Sequence, residues 1–256
     1  MHAIEIQSQL RFLPMIDEIK AKLKASNFTG AESRARDLLD REPHNGTGWA
    51  LLGQILVASS RAIEGREALE HANALVPLGA DATVALASCY LGEQHTRLAL
   101  EMLVHVSQQT DATASTLRAA AAAADSVDHP WVSKAICERS LKRFPDEPQT
   151  FYELGYYCAR LGSQNLMEAN ARKAIELDPD NVCYRVGLAS SLMKQNRTDE
   201  AYTLVKAFGP KEVDQVCCNS CRTGLLAIFE AANDSLRASL CQSRMQQQEP
   251  GDSHGH

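Results

Sequence analysis

Apolar side chains recur along this 256-residue chain with two nested periods: three or four residues within a stretch, and 34 residues from one stretch to the next. When repeats are started at Gly46, Ala80, Ala114, Pro148 and Val182, position 4 carries Trp49, Thr83, Leu117, Phe151 and, against the trend, Arg185. Positions 7 and 8 read Leu52-Gly53, Leu86-Ala87, Ala120-Ala121, Leu154-Gly155 and Leu188-Ala189, and position 11 reads Leu56, Tyr90, Ala124, Cys158 and Leu192. Positions 4, 7, 8 and 11 lie on one face of a helix. Positions 20, 24 and 27 define a second amphipathic helix in each unit, as in Gly65-Leu69-Ala72 and Met167-Ala171-Ala174.

Position 32 ends the unit. Pro43, Pro77, Pro145 and Pro179 stand 34, 68 and 34 residues apart, and Asp111 occupies the slot between the second and third. Proline lacks an N–H and clashes with the preceding turn, so it stops one helix pair before the next begins. Small residues at positions 8 and 20 let the two antiparallel helices approach closely. The pattern predicts helix, turn, helix, stop. A composition with 5% aromatic residues and 23 glycines plus prolines also favours packed helices over a strand-rich sandwich.

These residues resemble the tetratricopeptide repeat family. The likeness is clearest in Trp49, Leu52, Gly53, Leu56, Gly65, Leu69, Ala72 and Pro77, and in Phe151, Leu154, Gly155, Ala171, Ala174 and Pro179. The run from Arg172 to Pro179 is similar to the family's usual second-helix ending, and the resemblance spans roughly residues 12 to 209. Met167 at position 20, Arg185 at position 4, Asp111 for proline, and a first unit whose Ile16, Ile19 and Leu23 fit the register poorly depart from it. The resemblance implies an all-α fold, a right-handed solenoid of about six antiparallel helix pairs with a C-terminal cap.

The expected organisation is a divergent helix pair over 1–45, repeats over 46–213, capping helices over 214–243 and a disordered polar tail over 244–256. The alanine-rich stretch Ala119 to Asp128 buries little area and is expected to be the softest part of the core.

Charge narrows the partners. A net charge of −6 provides no general positive field for a phosphate backbone or an anionic leaflet, so neither nucleic acid nor membrane is expected. Residues 1–24 mix Glu5, Arg11, Asp17 and Glu18 through their apolar positions and lack the uninterrupted run of a signal peptide. Eight scattered cysteines read as reduced thiols, which places the protein in the cytoplasm.

Candidate chemistry is sparse. No phosphate loop, nucleophile elbow, dinucleotide fingerprint or H-E-x-x-H motif is present, and no enzyme activity, cofactor or metal is expected. Cys217, Cys218 and Cys221 form one local cluster with a C-x-x-C spacing, whereas structural zinc normally takes four ligands. Small boundary cysteines are the leading interpretation, a redox dithiol or metal site the alternative. Lys20, Lys22 and Lys24 spread around a helix, and His71, His95 and His105 receive no role.

The resemblance implies instead a concave groove lined by positions 2, 5, 9, 12 and 13 of the first helices. In the second and third repeats these positions are small and mostly uncharged. Further on they bring Arg118, Gln149, Tyr152, Tyr156, Arg160, Val186, Ser190, Met193 and Lys194, aromatic and basic on an acidic chain. The expected function is a non-catalytic interaction scaffold holding a protein or peptide there, an acidic segment or chain terminus. Position 9 reads Gln54, Ser88, Ala122, Tyr156 and Ser190, without the asparagine of the family's carboxylate clamp, which argues against chaperone tails as the ligand. A chaperone for one exported client is a further alternative.

Overall fold

The computed structural model describes residues 2–216 and 219–246. Among these the chain is helical without strands, and it divides into two compact units, one through Ser140 and one from Leu141 onward. The first unit contains α1 (His2–Lys24), α2 (Phe28–Arg41), α3 (Gly46–Ala58), α4 (Ala62–Leu75), α5 (Ala80–Gly92), α6 (Thr96–Val106), α7 (Ala114–Asp125) and most of α8 (Pro130–Arg143). The second contains α9 (Pro148–Arg160), α10 (Gln164–Leu177), α11 (Val182–Lys194), α12 (Thr198–Val205), α13 (Pro210–Gln215), α14 (Asn219–Ala231) and α15 (Ser235–Gln246).

Every helix pair turns on one residue with a left-handed backbone. These are Ser26, Ser60, Gln94, Asp128, Gly162 and Asn196, each 34 residues after the last, and then Asn233 after 37. At each turn the next N–H reaches back to the carbonyl five residues earlier: Asn27 to Lys22 (2.9 Å), Arg61 to Leu56 (2.9 Å), His95 to Tyr90 (2.8 Å), His129 to Ala124 (3.1 Å), Ser163 to Cys158 (2.8 Å), Arg197 to Leu192 (3.0 Å) and Asp234 to Phe229 (2.8 Å). This bond closes the helix end in a Schellman motif, satisfying a carbonyl the helix leaves open. Only Gly162 adopts the left-handed region without the cost of a Cβ. α14 and α15, in the segment expected to cap the array, are therefore joined by the same turn as the other pairs. The three extra residues fall in the stretch that contains the short helix α13.

The shared turn extends to the first pair. Ser26 holds α1 and α2 in the common register, with Ile16 and Ile19 buried and Leu23 packed against the same core. Ile19 stands at the usually small position 8, and Ala31, at position 20, is fully buried with it, so a large side chain on one helix is matched by alanine on the other.

Close approach is tightest between α3 and α4. A Cβ at Gly53 would lie 2.5 Å from Leu69 Cγ and 2.9 Å from the Gly65 carbonyl, and one at Gly65 would lie 2.9 Å from the Val57 backbone nitrogen. In the second unit a Cβ at Gly155 would stand 3.1 Å from the Met167 carbonyl. The first unit buries Leu38, Ile55, Leu69, Leu103 and Leu117, and the second Leu188, Leu192, Phe208, Leu225 and Phe229.

Asp111, in the slot of the missing proline, has a different task. Its Oδ2 accepts the first N–H of α5, from Ala80, at 2.9 Å. Alongside it Gln109 Nε2 donates to the Leu78 carbonyl (3.0 Å) and Thr116 Oγ1 to Asp81 Oδ1 (2.6 Å). Gly79 precedes α5 without a capping side chain, so the cap is supplied from 31 residues away.

Ion pairs join successive helix pairs on second-helix positions. Glu32 accepts from Arg36 (2.8 Å) and Arg61 (2.9 Å), and Arg61 also pairs with Glu64 (2.5 Å). Four periods on, Glu168 accepts from Arg172 (2.8 Å) and Arg197 (2.6 Å), and Arg197 pairs with Glu200 (2.6 Å). The hydrogen bond from Arg36, then that from Arg61, holds the Glu32 carboxyl below the usual carboxylate range, and Arg197 followed by Arg172 does the same for Glu168.

Two outcomes follow for stability. Asp111→Pro, which restores the 34-residue proline period of this chain, should lower the unfolding free energy by about 1 kcal/mol in urea titration, because the α5 cap is lost. A carboxyl depressed on folding stabilises fully above its unfolded pKa, about 4.3, and loses that contribution as pH falls through the lower folded value. The urea midpoint should therefore drop below about pH 4.3, and a Glu32→Gln, Glu168→Gln double variant should show a flatter drop.

Candidate functional site

In the second unit α9 and α11 are the first helices of neighbouring pairs, with α10 behind them. α9 begins with Pro148 at its first turn and buries Leu154, Gly155, Tyr157 and Cys158, so the opposite face carries Tyr156 and Arg160 outward. α11 buries Val182, Tyr184, Val186, Leu188, Ala189 and Leu192, leaving Ser190 half-buried and Lys194 exposed.

Between them lies an open cleft of about 370 Å³. Tyr152, Tyr156 and Arg160 wall it from α9, Met167 and Ala171 form its buried floor from α10, and Gly187, Ser190 and Lys194 close it from α11. Tyr156 is 52% exposed and leans edge-on against Tyr157, with ring centroids 5.4 Å apart. Tyr152 lies against Tyr184, centroids 5.0 Å apart and tilted by 38°. The arrangement offers ring surface and an apolar floor with two cations, which suits a ligand that is apolar in part and negatively charged at its edges.

The structure thus gathers Tyr152, Tyr156, Arg160, Ser190 and Lys194 in one place. Gln149 stands behind them: its Oε1 accepts from the Tyr184 hydroxyl (2.9 Å) and its Nε2 donates to Glu153 (2.9 Å). Met193 packs half-buried against the core of the second unit, and Val186 is fully buried in it, so both fall outside the cleft. Arg118 sits half-buried on α7, in the first unit. Met167, Ala171 and Gly187 also line the cleft, together with Ala159, Gln164 and Ser191, and none of the first three is marked as a ligand contact by the repeat register. Gly187 does leave a trace in the sequence, being the one glycine at position 6 among Leu51, Ala85, Ala119, Glu153 and Gly187.

Of the cysteine cluster, Cys217 and Cys218 lie outside the described residues, as do residues 247–256 of the polar tail. Cys221 is half-buried against the core of the second unit. Cys241 is buried, and burial pushes its thiol up to about 11, which keeps it protonated and weakly nucleophilic at neutral pH. Among the described residues no group of three or more His, Cys, Asp or Glu side chains could hold a metal ion, and no helix is long and apolar enough to cross a membrane.

Comparison with known proteins agrees with this geometry at the level of fold. The tetratricopeptide repeat family model matches residues 16–70. Similar solved structures include the C-terminal part of a tetratricopeptide repeat-containing protein from Cytophaga hutchinsonii, at TM-score 0.63 and 11% identity over 93% of this chain and 96% of that one. Pseudomonas aeruginosa pilF aligns at TM-score 0.60 and 16% identity over 86% and 95%. YrrB, a tetratricopeptide repeat protein with an unusual peptide-binding site, aligns at TM-score 0.50 and 15% identity over 72% and 91%. No curated protein sequence matches the chain. Among the described residues the chain is all-helical, and its fold is that of solved tetratricopeptide repeat proteins, with the repeat model itself matched over residues 16–70.

Proposed function

We propose that this protein is a non-catalytic scaffold that holds an acidic segment or chain terminus of a partner protein in the α9–α11 cleft. The observation that carries the reading is the conjunction of Tyr152 and Tyr156 with Arg160 and Lys194 around one apolar floor, on a chain whose net charge is −6. Rigid rings bury area at low entropic cost and a guanidinium pairs carboxylates in a fork, so these residue types concentrate binding energy. An acidic segment also meets the local charge opposite to that of the chain as a whole, which orients its approach. The fold supports the interaction role, and the peptide-binding site of YrrB is consistent with it. The cysteines are scattered along the chain and several are buried in helices, which fits a reducing compartment, and we place the scaffold in the cytoplasm.

The test is affinity capture from native lysate with the wild type beside a Tyr156→Ala, Arg160→Glu double variant. Both altered side chains are exposed, so the fold should be unaffected. A client retained by the wild type and lost by the double variant supports the cleft. Identical captures by the two proteins would contradict it.

A further inference from the structure

Gly187 lies inside α11, where glycine costs about 1 kcal/mol relative to alanine, and the other units place larger residues at the same position. Its surroundings supply the reason. A Cβ at residue 187 would run into the Tyr152 hydroxyl and stand 2.8 and 2.9 Å from two of its ring carbons. Tyr152 therefore reaches across from α9 and rests the hydroxyl end of its ring on the α11 backbone. The ring also meets Tyr184, which is itself buried and anchored through its hydroxyl to Gln149, and through Gln149 to Glu153. The ring has one seat, made by a missing side chain on α11 and braced by a polar chain running back along α9.

With the ring seated, the space between Arg160 and Lys194 remains open down to Met167 and Ala171. With a methyl at residue 187 the ring has to leave that seat, and the cleft is the unfilled volume beside it. We infer that Gly187 is a positioning residue that sets the depth of the cleft through Tyr152, and that the bound segment carries an apolar side chain among its carboxylates to fill that depth. This inference rests on the cleft reading above and specifies its ligand: acid groups meet the two cations at the edge, and the apolar side chain lies on the Tyr152 ring above the buried floor. Leucine-sized side chains fit an opening of this volume, whereas an acidic segment with only glycine between its carboxylates leaves the floor wet. Gln149 and Tyr184 contribute through the ring without touching the ligand.

The experiment uses the full chain, two fluorescein-labelled nonapeptides and a fluorine signal. One peptide has leucine between two runs of four glutamates, and the other has glycine in its place. Fluorescence anisotropy should show the wild type preferring the leucine peptide by roughly tenfold. Gly187→Ala should bring the leucine peptide down to the level of the glycine peptide and shift the Tyr152 resonance of 3-fluorotyrosine-labelled protein. Tyr152→Phe should keep the preference, because the ring and not the hydroxyl forms the wall. Tyr152→Ala, which removes the ring without crowding α11, should lose it, and this keeps the test available if Gly187→Ala does not fold. An unmoved Tyr152 resonance in Gly187→Ala, or a leucine preference surviving in either alanine variant, would overturn the inference. If the wild type binds neither peptide while the resonance moves, the acidic-ligand reading fails and Gly187 keeps its role in seating Tyr152.

Discussion

The structure depends on the bond that closes each helix pair, in which an N–H just past the turn reaches the carbonyl five residues back while the residue between them is left-handed. That geometry fixes where the second helix starts relative to the first, so positions 8 and 20 meet whatever side chains they carry. Glycine at both produces the α3–α4 contact, in which backbone touches backbone at Gly53 and Gly65. Isoleucine opposite alanine produces the first pair, built around Ile19 and Ala31. The turn tolerates serine, glutamine, aspartate and asparagine at its left-handed residue, although a Cβ there costs free energy, because the packing of two helices outweighs it.

The 34-residue period and the all-α fold were legible because the close contacts demand small residues and the stop demands proline. The turns were less legible, since Ser26, Gln94 and Asp128 share no side-chain chemistry and only their backbones are alike. Asp111 looked like a lost proline because its partner, the Ala80 N–H, lies 31 residues back in sequence. Position along α9 and α11 puts Tyr152, Tyr156, Arg160, Ser190 and Lys194 on the side of the two helices that borders the cleft. It could not distinguish Gln149 and Met193, whose side chains turn to other contacts, because position fixes the direction of a Cβ and not where a long side chain ends.

Small residues serve two purposes in this chain. At Gly53, Gly65 and Gly155 the absence of a side chain lets helices of one pair touch, which is a matter of stability. At Gly187 it makes room for an aromatic ring from the neighbouring pair, and the consequence is a cavity. The same local feature therefore builds the scaffold in one place and shapes a recognition surface in another, and only the neighbouring side chain decides which. Charged residues also serve in two places: Glu32 with Arg61 and Glu168 with Arg197 join successive helix pairs, and Arg160 and Lys194 line the cleft.

The most direct test of close helix contact as the source of this fold's stability is the equilibrium unfolding of Gly65→Leu in urea. A side chain at this position would begin 2.6 Å from Val57 Cγ2 and 2.9 Å from the Val57 backbone nitrogen. The expected result is a loss of roughly 2 kcal/mol or more, with the α3 and α4 amides losing protection from hydrogen exchange before the rest of the first unit. An unfolding curve superimposable on that of the wild type would contradict the claim that close contact of paired helices holds this fold together.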